Sequence, residues 1–106
     1  MLDWIRLEDI SQLDEVDRMS QETPQGVAIF KHSTRCSISS MALNRLEKAD
    51  SQMPVYFLDL LAHRDISDEI ANHYQVEHES PQLLIIKDKK VVSNHTHHMI
   101  HASLLH

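Results

Sequence analysis

Three short apolar runs constrain the fold of this chain more than any other feature. They occupy residues 27–30, 55–58 and 83–86, are rich in β-branched and aromatic or aliphatic side chains, and each follows a Gly or Pro signal. Runs of this length and composition are typical of β-strands. Because their hydrophobicity is continuous rather than alternating, we expect both faces of these strands to be covered, as in an α/β protein.

The segments between the apolar runs carry helical periodicity. The first predicted helix begins near Ser11 and has an apolar edge formed by Ile10, Leu13, Val16 and Met19. Further helices are predicted over about residues 37–49 and 65–74, and from about residue 96 onward. The helix at 37–49 places one apolar stripe along its length, formed by Ile38, Met41, Ala42, Leu46 and Ala49. A fourth strand is predicted around residues 90–93, paired with the third in a hairpin whose turn is Asp88-Lys89.

The order of these elements predicts the topology. A strand–helix–strand unit is normally a right-handed crossover between parallel strands. A further helix, a hairpin and a terminal helix complete a four-stranded mixed sheet flanked by helices on both faces, which is the thioredoxin-like α/β topology. Since no repeat, linker or low-complexity segment interrupts the sequence, we expect a single domain over residues 1–106.

Composition excludes several classes of partner. With 10 basic and 16 acidic residues the net charge is −6, which argues against binding to nucleic acid or to an anionic membrane surface. The apolar runs are far shorter than the ~20 residues of a membrane span, and the first residues lack a secretion signal. The sequence therefore indicates a cytoplasmic protein that binds neither nucleic acid nor membrane.

The chain has one cysteine, which excludes a disulfide scaffold, a cysteine zinc site and an intrachain dithiol pair. Cys36 lies where the first strand gives way to a helix. There the free amides, the helix dipole and the neighbouring Arg35 all favour the thiolate. A lone cysteine is more often a small buried apolar residue, but this position and its polar neighbours favour a reactive thiol.

Ser39 stands three residues after Cys36, where a dithiol enzyme has its second cysteine. A Cys-x-x-Ser pair cannot close an internal disulfide, so a mixed disulfide on Cys36 must be resolved by a thiol from another molecule. The spacing alone is weak support, because a serine is also an ordinary residue for the first turn of a helix.

Pro81 directly precedes the third apolar run. Proline can begin a strand but cannot lie within a central one. A cis peptide bond is far commoner before proline than before other residues. The sequence leaves the isomer of the Ser80–Pro81 bond open.

Taken together, Thr-Arg-Cys-Ser-Ile-Ser at 34–39 and His-Glu-Ser-Pro-Gln at 78–82 resemble the bacillithiol-system redox-active family, the YtxJ-like monothiol bacilliredoxins. The similarity extends along essentially the whole chain. It implies a thioredoxin-like fold in which Ser80–Pro81 is a cis-proline loop facing Cys36. Family members usually have proline directly after the cysteine, whereas this chain has Ser37, which brings an extra amide and hydroxyl near the sulfur.

The resemblance implies that the protein is an enzyme that removes bacillithiol from S-bacillithiolated proteins. Cys36 would be the nucleophile, and Thr34 and Arg35 would place the malate carboxylates of bacillithiol. No bound cofactor and no metal are implied; bacillithiol is a co-substrate, and the partners are S-thiolated client proteins and a disulfide reductase or second redoxin that recycles Cys36. The residues assigned to thiol or substrate binding are Thr34, Arg35, Ser37, Ser39, Ser80, Pro81 and Gln82.

Three other functions stay open at this stage. The same fold could serve as a non-catalytic thiol buffer or interaction protein. On a terminal helix, His97 and His101 would share one face and could ligate zinc or copper, although no cysteine or carboxylate lies close in sequence. Monothiol glutaredoxins that bind iron–sulfur clusters favour a glycine-rich Cys-Gly-Phe-Ser motif, whereas Gly26 is the only glycine here.

Overall fold

The computed structural model describes residues 2–106, in which five strands form one mixed sheet. The strands are β1 (Trp4–Arg6), β2 (Val27–His32), β3 (Val55–Asp59), β4 (Gln82–Lys87) and β5 (Lys90–Thr96). They lie in the order β1-β3-β2-β4-β5, with β1 and β2 parallel to β3, and with β4 antiparallel to both β2 and β5. The three apolar runs are thus the three central strands, and the predicted thioredoxin-like α/β fold is confirmed.

Three helices and two short 3-10 helices complete the described part of the chain. They are α1 (Gln12–Glu22), α2 (Ser37–Glu47), α3 (Arg64–Tyr74) and the 3-10 helices His97–Met99 and Ala102–Leu105. α1 and α3 contribute to the core on one side of the sheet, and α2 with the C-terminal 3-10 segment contributes to the core on the other. Within residues 2–106, no helix is both long enough and apolar enough to cross a membrane.

The four-stranded sheet predicted from the sequence was wrong by one edge strand. β1 has three residues and pairs in parallel with β3, Trp4 lying opposite Val55. A strand this short shows neither alternation nor a continuous apolar run, so no periodic signal separates it from a loop. Its position is decided by pairing with a strand about fifty residues further along the chain.

The predicted terminal helix was also wrong. β5 pairs with β4 as far as the Gln82–Thr96 pair, so the strand extends to the residue at which the helix was predicted to begin. Only short 3-10 helices follow. Ile100 and Leu105, two apolar residues of the predicted helix, are nevertheless fully buried. His97 and His101 therefore do not share the face of a helix.

The β4–β5 hairpin forms without a glycine, as predicted. Asp88 and Lys89 make the two-residue turn and have φ values of 53° and 68°. Two-residue turns with positive φ match the twist of the flanking strands, and Asp is among the residues that tolerate this conformation best.

The central strand β2 is buried along its whole length, including its two polar residues. Val27 and Ile29 belong to the core beside α1 and α3, whereas Ala28 and Phe30 belong to the core beside α2. Because side chains alternate along a strand, Lys31 continues the first row and His32 the second. β2 therefore brings one polar side chain to each face of the sheet at the end that leads to Cys36.

The buried face of α2 differs from the predicted stripe: Ile38 is only half-buried, and Ala49 lies beyond the end of the helix. Met41 is 53% exposed, whereas Ser39, Ala42 and Leu46 are fully buried. These three residues are spaced by three and four positions, so they share one face of the helix, and Met41 lies about 100° or more around the helix from each of them. A serine, rather than the predicted methionine, faces the sheet in the first turn.

Gly26 is expected to tolerate no side chain. Its φ is +84°, and a Cβ there would lie 2.4 Å from the carbonyl oxygen of Ile86 in the neighbouring strand. We expect Gly26→Ala to lower the free energy of unfolding by at least about 2 kcal/mol, from strain at positive φ together with this overlap. Urea unfolding measures the change. The exposed neighbour Gln25 provides the control, since Gln25→Ala should change stability by less than about 0.5 kcal/mol.

Candidate active site

Cys36 lies at the amino terminus of α2 with its side chain partly exposed. It is the N-cap residue, with extended backbone angles of φ −112° and ψ 120°. Its amide donates a hydrogen bond to the Ser33 carbonyl (3.2 Å), and its carbonyl accepts one from the Ser40 amide (3.1 Å). The tight turn 33–36 thus places the sulfur at the positive end of the helix dipole.

The side chains beside Cys36 are polar and open to solvent. Thr34, Arg35 and Ser37 are all exposed. The first turn of α2 contains no acidic residue, so nothing within the helix neutralises the positive end of its dipole. This surrounding can accommodate a negatively charged sulfur and a ligand that carries carboxylates.

Ser39 is held inside the protein rather than presented to solvent. It is fully buried, its Oγ accepts a hydrogen bond from the Ser33 amide (3.0 Å), and it pairs with Nδ1 of His32 (2.7 Å). These bonds join the end of β2, the turn before Cys36 and the first turn of α2. The structure therefore gives Ser39 a tethering contact, and its predicted contact with substrate stays a prediction.

His32 is the inner partner of this network. It is 5% exposed and packs against the rings of Phe30 and Phe57, with centroid distances of 5.8 and 5.5 Å. Burial lowers the pKa of His32 below its usual 6.5, and the Asp59 charge only partly opposes this. The imidazole is consequently neutral at pH 7. The only sequence signal for His32 is a polar residue that directly follows an apolar run and precedes the cysteine motif.

The sheet brings Pro81 to the same edge as Cys36. Lys31 pairs with Gln82 in the antiparallel β2–β4 ladder, so Pro81 lies level with His32, where the chain turns toward Cys36. The Ser80–Pro81 peptide bond is cis. The Oγ of Ser80 is buried and has no hydrogen-bond partner among residues 2–106. Two segments that are far apart in sequence thus meet at one end of the sheet.

Gln82 is directed inward. It is fully buried, and its Nε2 donates to the carbonyl of Glu77 (3.0 Å) and to Oδ1 of Asn94 (3.1 Å). Its Oε1 accepts a longer bond from the Glu79 amide (3.4 Å). Gln82 therefore fastens the loop that precedes Pro81, and its predicted substrate contact is untested.

A second polar group lies on the other face of the sheet and has no counterpart in the sequence prediction. Lys31 is fully buried, and its Nζ lies 3.1 Å from Nδ1 of His78 and 3.5 Å from the carbonyl of Ser67. Burial lowers the pKa of Lys31 to about 8, while the nearby Asp68 carboxylate acts in the opposite direction. Lys31 and His78 are 47 positions apart, so no local pattern links them.

The histidines near the carboxyl terminus form no metal site in the described structure. Between residues 2 and 106, no three potential ligands from His, Cys, Asp and Glu are grouped closely enough to hold an ion. The helix that would align His97 with His101 is replaced by the end of β5 and two 3-10 helices. The geometric basis of the zinc or copper alternative is therefore absent.

The sheet topology and the cysteine at the start of α2 define the class of protein. They are those of a thioredoxin-fold redox protein with a single cysteine. Residues 5–105 match the family described as monothiol bacilliredoxin BrxC. The chain belongs to that family, which confirms the resemblance noted from its motifs.

Solved structures agree with this assignment. A candidate oxidoreductase with a thioredoxin fold is 34% identical, with a TM-score of 0.81 over 94% of this chain and 88% of that one. Thioredoxin from Malassezia sympodialis is 18% identical, with a TM-score of 0.63 over 87% of this chain and 77% of its own. A thioredoxin variant from Halobacterium salinarum is 17% identical, with a TM-score of 0.66 over 97% and 84%. The last two show the fold alone.

The tether at Ser39 can be tested through stability. Ser39→Ala leaves Nδ1 of His32 and the Ser33 amide without their partner, so we expect the free energy of unfolding to fall by about 1–3 kcal/mol. Chemical denaturation at pH 7 measures this loss. Ser40 is exposed in the same helical turn, and Ser40→Ala should leave stability within about 0.5 kcal/mol of the starting protein; equal effects of the two variants would contradict the tether.

Proposed function

We propose that this protein removes bacillithiol from S-bacillithiolated proteins by a monothiol exchange at Cys36. The observation that carries the proposal is the placement of the only cysteine, partly exposed at the amino terminus of α2. Membership of the monothiol bacilliredoxin family supports the choice of bacillithiol as the small thiol. A reducing compartment such as the cytoplasm suits this chemistry, because a lone cysteine stays a free thiol there.

In the first step, the Cys36 thiolate attacks the bacillithiol sulfur of the client's mixed disulfide. The sulfur–sulfur bond to the client breaks, and the client cysteine leaves as a thiolate that takes up a proton. Cys36 now carries bacillithiol through a new disulfide. The reaction exchanges one disulfide for another, so it needs no external oxidant or reductant.

In the second step, a thiol from another molecule attacks the bacillithiol that is bound to Cys36. A second bacillithiol would release Cys36 as a thiolate and leave as bacillithiol disulfide, which a disulfide reductase reduces; a second redoxin could act in its place. The chain supplies no resolving thiol, since Cys36 is its only cysteine. Ser39 also cannot act as a resolving thiol, and its hydroxyl is engaged with His32 and Ser33.

The groups around Cys36 support both steps. The amides and dipole at the start of α2 stabilise the attacking thiolate in the first step and the departing thiolate in the second. Thr34, Arg35 and Ser37 are exposed beside the sulfur, and we assign Arg35 and Thr34 to the carboxylates of bacillithiol. Ser80 and Pro81 lie at the same end of the sheet, and we assign the backbone groups of this loop to the incoming disulfide.

The central test replaces the thiol and its neighbour separately. Cys36→Ala should abolish release of bacillithiol from an S-bacillithiolated protein, because the nucleophile is lost. Ser39→Ala should retain most of the activity at a temperature where it is folded, because Ser39 takes no covalent part. Mass spectrometry of the client after incubation with excess bacillithiol measures both, with Ser40→Ala as the matched control.

The same assay separates catalysis from thiol buffering. A catalyst releases many equivalents of bacillithiol per Cys36 when the reductant is in excess. A thiol buffer releases about one equivalent and stops with Cys36 thiolated. Full release by Cys36→Ala, or a single equivalent from the unaltered protein, would contradict the proposed function.

A further inference from the structure

The loop that leads into Pro81 is fastened by buried polar side chains. Residues 76–81 connect α3 to β4 without regular secondary structure. On the inner side of this loop, Lys31 contacts His78, while Gln82 holds the carbonyl of Glu77 and the amide of Glu79. We call the contact of Lys31 with His78 and Ser67 the clasp.

The lysine of the clasp is chemically unusual. A fully buried ammonium group is rare, since burial removes the water that stabilises its charge. Here its direct partners are the neutral nitrogen of His78, at 3.1 Å, and the carbonyl of Ser67, at 3.5 Å, rather than a carboxylate. An apolar side chain of similar length would fill the same space without desolvating a charge. Stability therefore does not explain the presence of a lysine at position 31.

The partner of the lysine lies on the protein surface. The His78 side chain is exposed, and its Nδ1 also lies 3.2 Å from Oγ of Ser67 in α3. The imidazole thus bridges the end of β2, the first half of α3 and the loop. Two residues separate His78 from Pro81, so any displacement of His78 is transmitted to Ser80 and Pro81 over a very short length of chain.

We propose that Lys31 is a positioning residue for thiol–disulfide exchange: through His78 it fixes the loop so that Ser80 and Pro81 meet the disulfide bound at Cys36. The inference rests on the proposed function for its effect on catalysis, but the clasp itself can be observed without any activity. Lys31 lies on the face of the sheet opposite His32 and Ser39, so it acts on the loop and not on the turn that carries Cys36.

The clasp also implies a dependence on pH. His78 can accept from the Lys31 ammonium only while Nδ1 carries no proton. The charged groups that act on His78 are Lys31 from β2, Arg64 and Asp68 from α3, and Glu79 in the loop. Burial and Lys31 lower the pKa of His78 below its usual 6.5, and the two carboxylates only partly offset this. The clasp is therefore closed at pH 7 and opens on acidification below pH 6.5.

The first experiment replaces the lysine. Lys31→Met should raise the rate of hydrogen–deuterium exchange at the amides of residues 77–80. It should also slow thiol–disulfide exchange with an S-bacillithiolated client by on the order of tenfold, since small displacements of positioning groups have effects of this size or larger. Alkylation of Cys36 by iodoacetamide, which needs no loop contact, should keep its rate. Lys90 is exposed, and Lys90→Met is the matched control that should change none of these.

Lys31→Met should also be at least as stable as the unaltered protein at pH 7. The unfolded chain keeps the lysine protonated up to about pH 10.5, whereas the folded protein releases that proton near pH 8. The folded state therefore binds this proton less tightly, so protonation of Lys31 costs stability as the pH falls below about 10.5, and the full cost is present below about pH 8. Slower thiol–disulfide exchange in a variant whose stability is not reduced indicates a positioning role.

The second experiment replaces the histidine at the surface, where folding is least at risk. His78→Asn keeps an oxygen acceptor for Lys31 but cannot take up a proton. The rate of thiol–disulfide exchange by this variant, divided by the rate of Cys36 alkylation, should therefore stay constant between pH 7 and pH 5. The unaltered protein should lose this normalised rate below pH 6.5, and His78→Leu should have a low rate throughout.

The outcomes separate this inference from the proposed function. The positioning role is overturned if the rate of thiol–disulfide exchange is unchanged in Lys31→Met and His78→Leu. It is also overturned if these variants lose thiol–disulfide exchange and Cys36 alkylation to the same extent. If Lys31→Met does not fold, the two His78 variants decide by the same criteria. If the unaltered protein shows no exchange, the proposed function fails, whereas hydrogen exchange at residues 77–80 still tests whether the clasp holds the loop.

Discussion

The pairing of β2 with β4 positions the end of the sheet at which Cys36 and Pro81 lie. β2 enters the sheet as an apolar strand and ends in Lys31 and His32, both buried. The antiparallel register sets Lys31 opposite Gln82 and brings Pro81 level with His32. One shift of this register by a single residue would exchange the faces on which the two polar side chains lie, and would separate each from its partner.

Each polar residue at the end of β2 organises a different segment. His32 bonds to Ser39 on the face covered by α2, and so holds the turn that carries Cys36. Lys31 bonds to His78 on the face covered by α1 and α3, beside the loop that leads to Pro81. Elsewhere the core is almost entirely apolar. Buried polar groups with satisfied hydrogen bonds specify one arrangement more sharply than apolar contacts do, and here they are concentrated where the thiol and the proline meet.

The sequence predicted the central part of the fold because that part rests on local signals. Continuous apolar runs identified β2, β3 and β4, and helical periodicity located α1, α2 and α3. β1 and the C-terminal 3-10 segment were not predicted, since their conformations are decided by pairing and packing with distant residues. Met41 was assigned to the wrong side of α2 because the periodic pattern tolerates a shift of one residue, whereas the buried serine that replaces it is stabilised by His32.

The candidate site divides in the same way. The amino-acid sequence by itself determined that the protein has a single thiol at a strand-to-helix junction, no resolving cysteine, and a proline before the third apolar run, because residue types and their spacing are local properties. Only the tertiary structure decided that Ser39 is tied to His32, that Gln82 faces inward, and that Lys31 is buried against His78. These contacts join residues between 5 and 47 positions apart, and most of them depend on strand register and helix packing, which no local pattern records.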